Sequence, residues 1–152
     1  MRSGRPGRER GNAALELVIL APVLLFLLGL VIAAGRTSIA LGSVQAAARD
    51  AARQASISRT PAAAQAAALA SARLALSQDS LDCTPVVKVE TGGPGTGSAA
   101  QVGFGVPVGL PAQVTARVTC RVSLSDLLVP GMPGSKTLTA TFTSPLDPFR
   151  AR

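Results

Sequence analysis

RGNAALELVILAPVLLFLLGLVIAAGR, residues 10–36, decides how the rest of the chain is read. Residues 17–35 contain no charged side chain, and 19 residues of α-helix span about 28 Å, close to the hydrocarbon thickness of a bilayer. One membrane crossing is therefore expected, with Pro22 near its start causing a local adjustment instead of a stop. A single carboxylate, Glu16, stands at the mouth of the run. At a helix centre it would cost about 2.5–3.5 kcal/mol to insert, and less toward the interface, so its position is tolerable.

Charge orients the span. Arg2, Arg5, Arg8 and Arg10 against Glu9 give the first 11 residues a surplus of +3 out of the chain's net +7, whereas Arg36 is the only basic residue in the first 13 on the far side. Basic residues flanking a span are retained in the cytoplasm, so the N-terminus is expected inside and the C-terminal domain outside. The basic balance of the chain does not point to nucleic acid. With no Trp, no Tyr and four Phe, the stacking surfaces of single-strand binders are missing.

Beyond Arg36 the helical period continues without a break. Leu41, Val44, Ala48, Ala51 and Ala55 recur on one face, with Arg49 and Arg53 on a neighbouring one, so the span is expected to run on into solvent. Thr60 before Pro61 forms an N-cap and first-position pair for a second, alanine-rich helix reaching about Gln78, with Leu69 and Leu76 two turns apart on one face. The period then changes from helix to strand. Strands are expected near residues 86–91, 114–122 and 136–143, with a weaker one over 101–106, separated by GGPGTGS (92–98) and VPGMPG (129–134). The expected fold is α+β: one long N-terminal membrane helix extending into an exported helical segment, followed by a small antiparallel sheet. The chain divides into a basic leader (1–11), a transmembrane helix (12–36), a helical segment (37–80) and a small β domain (81–152).

The two cysteines, Cys83 and Cys120, both fall in the part expected to be exported. In CTPVVKVE, Cys83 shares a face with Pro85, Val87 and Val89; in VTARVTCRV, Cys120 shares one with Val114, Ala116, Val118 and Val122. A Cys83–Cys120 disulfide is expected from that facing and from an oxidising location, the alternative being two buried free thiols. With no histidine and only two cysteines, neither zinc nor Ser-His or Cys-His nucleophile chemistry is expected, and no cofactor is implied. The eight carboxylates are dispersed. GMPGSKT (131–137) departs from a phosphate-binding loop at both of the glycines that define the motif, Pro130 and Ser135 standing in their places, and it leads into a strand pattern. The chain is not expected to be an enzyme.

A basic leader, Gly11, and then Glu16 five residues on at the start of an apolar helix resemble the signature of type IV pilin-like precursors. The wider stretch, RGNAALELVILAPVLLFLLGLVIAAGR followed by QAAARDAARQAS (45–56), resembles the N-terminal region of TadE-like pseudopilins, minor components of tight-adherence pilus machinery; the closing SPLDPFR (144–150) is similar to the end of some members. Leu17 and Asn12 depart from the pattern, which often has an aromatic residue after the glutamate and seldom has Asn as first mature residue. The resemblance implies a pilin-like structural role, a cut between Gly11 and Asn12 by a prepilin peptidase, and assembly with other pilin or pseudopilin subunits in which Glu16 meets a neighbour's freed amino terminus. Two alternatives stay open. One is an uncleaved bitopic envelope protein with a partner-binding outer domain; the other is a secreted domain released by signal peptidase after Ala34 or Ala40.

Overall fold

The computed structural model describes residues 9–92, 102–107, 109–124, 134–147 and 149, the side chains of 9–13 and 102 excepted. Residues 1–8 of the leader expected over 1–11, and most of the connections expected at 92–98 and 129–134, lie outside the described residues. Helix α1 (Glu9–Ser56) is continuous for 48 residues, about 72 Å, and carries Pro22 inside it. Helix α2 (Pro61–Gln78) follows after a four-residue turn. Its start is set by Thr60, whose extended backbone lets its side chain accept from the Ala63 N–H at 3.2 Å while Pro61 occupies a position where a missing N–H costs nothing.

The end of α2 is a Schellman turn. The Ser80 N–H donates to the Ser77 carbonyl at 3.1 Å and the Leu81 N–H to the Leu76 carbonyl at 3.0 Å. Ser80 takes a φ of 55°, in the left-handed region where glycine is usual, at a cost on the order of 1 kcal/mol.

Strands β1 (Val86–Gly92), β2 (Ala112–Ser123) and β3 (Ser135–Leu146) form a three-stranded antiparallel meander. Its register pairs Val87 with Val118 and Val118 with Ala140, so one inner-face row crosses all three strands. Alternation sends Val114, Ala116, Val118 and Cys120 inward, each fully buried, and leaves Thr115, Arg117, Thr119 and Arg121 on the other face. The two helices cover that inner face, α1 over β2 and β3 and α2 beside β1.

Small residues permit this arrangement. Ala47, Ala48, Ala51, Ala52 and Ala55 on α1 meet Ala64, Ala68 and Ala72 on α2 in one continuous core, all at zero exposure. Alanine against alanine lets helix axes approach toward the lower end of the 8–10 Å range. Leu76 and the sheet valines fill the wider space between helices and sheet. Cys83 and Cys120 are joined as a disulfide with Cα atoms 5.9 Å apart, tying the segment after α2 to the middle strand.

One expectation is corrected. Residues 102–105 form a single helical turn, α3 (Val102–Gly105), not a strand. Phe104 inserts into the core and the Gly103 N–H donates to Thr91 Oγ1 at 3.1 Å. A Cβ on Gly103 would lie 2.6 Å from the Thr91 Cβ, so the close approach depends on glycine. The spacing of Val102, Phe104 and Val106 imitates a strand, but this tertiary contact determines the local conformation.

Candidate functional site

The outstanding feature of the molecule is the half of α1 that, among the described residues, is left almost wholly uncovered. Leu17, Val18, Ile19, Leu24, Leu25 and Val31 are each between 64% and 69% exposed. A core helix of a soluble domain would be mostly buried, yet only 6% of the most apolar 18-residue window is. Among the described residues this is the one helix long and apolar enough to cross a membrane. So large an exposed apolar surface marks an interaction with lipid or with other chains.

Glu16 and Arg36 bracket that surface. They are 20 residues apart, about 30 Å along the axis, which equals the thickness of a hydrocarbon core. Glu16 is exposed, flanked by exposed Leu15, Leu17 and Ile19. The peptide bond between Gly11 and Asn12 lies in the first turn of the helix, which begins at Glu9, and Asn12 is one turn before Glu16. Glycine weakens a helix by about 1 kcal/mol relative to alanine, so this first turn is a weak one.

The remaining positions singled out in the sequence lie elsewhere. Cys83 and Cys120 hold the head together some distance along the chain from the span, and Lys136 sits in β3, where no helix N-terminus follows it. The dispersed carboxylates are not gathered into a group that could hold a metal ion among the described residues.

Three features of the head carry weak sequence signals. Gln65 interrupts an alanine run, and its side-chain amide donates to the Val87 carbonyl at 2.7 Å while accepting from the Val89 N–H at 3.1 Å. It thereby occupies the free edge of β1 as a neighbouring strand would. Arg49 of α1 lies over the Phe142 ring of β3 at 5.9 Å, linking helix to sheet at a half-exposed site. Ser80, with its left-handed backbone, stands on the rim of a cavity between the start of the head's helix pair and the sheet. The polar interruption at Gln65 could have been noticed; the other two need the fold.

No match was found among curated proteins or among solved structures. Residues 11–53 match the TadE family model, TadE-like protein, and it is over this helix, from the weak first turn through the uncovered half and most of the covered half, that the chain is similar to that family.

Proposed function

We propose that the protein is a structural minor pilin or pseudopilin of a tight-adherence, type IV-like assembly, anchored by residues 12–36 with its N-terminus in the cytoplasm and its head outside. The observation that carries the reading is the coincidence of the TadE-like match with an apolar helix, left uncovered by the described elements, that has a lone carboxylate at its N-terminal mouth. Such a helix needs apolar neighbours over its length and a cation at one end. In this reading a prepilin peptidase cuts between Gly11 and Asn12, removing the basic leader whose charges resist extraction of the helix into an assembly. The amine left on Asn12 of one subunit then pairs with Glu16 of another. Shielded from water, each charge offsets the cost of burying the other, and an unpaired one is penalised, so the pair favours one register of packing.

The test is the N-terminus of the mature protein, read by intact mass. Asn12 is expected. Replacing Gly11 with Leu should leave full-length protein in the membrane, whereas Glu16→Ala should be cut normally but enter assemblies poorly. One observation favours the uncleaved anchor as a second reading: α1 already begins at Glu9, so the bond to be cut lies inside a helical turn that must first open. A mature protein that starts at Met1 or Arg2 would establish that anchor and remove the pilin mechanism. A start after Ala34 or Ala40 would make it a secreted domain. Against that outcome stands Ala40, 4% exposed in the head's core on an unbroken helix.

A further inference from the structure

A cavity of about 490 Å³ opens where α1 leaves its apolar run, walled by α1 residues 36–43, the turn after α2, the end of β2 and the start of β3. We propose that this groove binds the headgroup of a zwitterionic phospholipid carrying a primary ammonium. The inference rests on the membrane reading of residues 12–36 given above, and on neither the cleavage nor the assembly part of it.

Position supplies the first argument. The groove's helical wall starts at Arg36, the residue that ends the uncharged run, and reaches Ser43, about 10 Å farther along the axis. The polar layer on each side of a bilayer's hydrocarbon core is roughly 5–8 Å deep, so a span that fills the core with residues 17–35 holds the groove at headgroup depth.

Charge supplies the second. Arg36 of α1 and Lys136 of β3 line the groove together with Asp79 and Asp82, which follow α2. Two cations and two carboxylates, counted among the described residues, line one opening and match a ligand that carries both signs. A phosphodiester takes the Lys136 ammonium, with Arg36, itself engaged within the chain, adding its positive charge, and the ligand's own ammonium takes the carboxylates. A purely anionic headgroup would meet two carboxylates without compensation. A quaternary ammonium could not donate hydrogen bonds to either.

The apolar wall fits the same molecule. Ile39 is 73% exposed beside the groove, and Leu81 and Leu138 line it, giving the methylenes of the headgroup an apolar surface. Ser80 adds a hydroxyl at the rim from a backbone conformation in which a glycine would be less strained. The volume lies within the range of pockets that enclose small ligands.

The experiment uses the full chain reconstituted in nanodiscs holding equal amounts of phosphatidylethanolamine, phosphatidylglycerol and phosphatidylcholine with identical acyl chains, and counts the lipid retained by native mass spectrometry. Phosphatidylethanolamine should be retained about fivefold over each competitor, and Lys136→Gln and Asp82→Asn should each lower that retention by a similar factor, as expected for single interfacial charges. Arg117→Gln, on the opposite face of the sheet, should leave it unchanged, and the Cys83–Cys120 disulfide should persist in all three variants. Equal retention of the three lipids, preference for phosphatidylglycerol, or retention indifferent to both groove substitutions would overturn the assignment while leaving the span intact. Failure of the chain to enter the nanodisc would overturn the span, and this inference with it.

Discussion

Helix α1 is one unbroken helix with two surfaces that obey different rules. Its first half carries Leu, Ile, Val and Phe nearly all round and exposes them; its second half carries mainly Ala, with Val44, on the face turned to α2 and the sheet and buries that face, while Ile39 near the junction stays 73% exposed. Hydropathy alone would have predicted the reverse, because the larger side chains gain more from burial. The difference teaches that along α1 side-chain size, not hydrophobicity, tells which surface the protein covers itself. Alanine serves where another helix and a sheet must come close, and bulky residues stand where no described element of the chain covers them.

The largest test of that division acts on the head alone. Reduction of the Cys83–Cys120 disulfide, which spans 37 positions, should cost the head about 4 kcal/mol on the chain-entropy model. Without Trp or Tyr the natural readout is pulse proteolysis across a urea series. The head should become cleavable at markedly lower urea while residues 17–35 stay protected in detergent or bilayer. Loss of protection in both regions together would mean that the two halves of α1 are not independent.

A paired substitution sharpens the comparison next. Ala51→Leu forces a larger side chain into the fully buried seam between α1 and α2, and should destabilise the head by about 3 kcal/mol. Leu25→Ala removes a larger side chain from the uncovered half, 69% exposed, and should change head stability by less than about 0.5 kcal/mol. Equal effects in the same urea assay would erase the distinction.

A smaller effect is expected at the sheet's edge. Gln65→Ala removes both hydrogen bonds that cover β1 and should cost about 2 kcal/mol, with concentration-dependent association of the isolated strand edge as its visible consequence. Unchanged stability and no association would show that the edge needs no cover.

Much of this architecture was legible in the sequence because it depends on local period. The uncharged run, the Thr60–Pro61 start of α2 and the alternation around Cys120 each state their own conformation within a few residues. The inward facing of both cysteines carried their pairing as well. What could not be read depends on elements that meet only after folding. Whether Val102–Gly105 is strand or helix is decided by Thr91, twelve positions before Gly103. The role of Gln65 is decided by a strand more than twenty positions on, and the groove at the foot of the head by four elements none of which signals it alone. Glu16 is the converse case: its place at the end of an apolar run was plain, and in the fold it stays exposed, so the role proposed for it rests on a neighbouring subunit.

The most direct measurement is the depth of each half of α1 in a bilayer. Because both native cysteines are paired in the structure, a thiol-specific spin label reports a single introduced site, Leu25→Cys or Gln45→Cys in otherwise full-length protein. In reconstituted vesicles the label at 25 should be relaxed by oxygen and shielded from a water-soluble nickel chelate, and the label at 45 should behave oppositely. A label at 25 that is open to the nickel chelate in vesicle-bound protein would contradict the account, since the uncovered half of the helix would then face water and the bilayer would not be its environment.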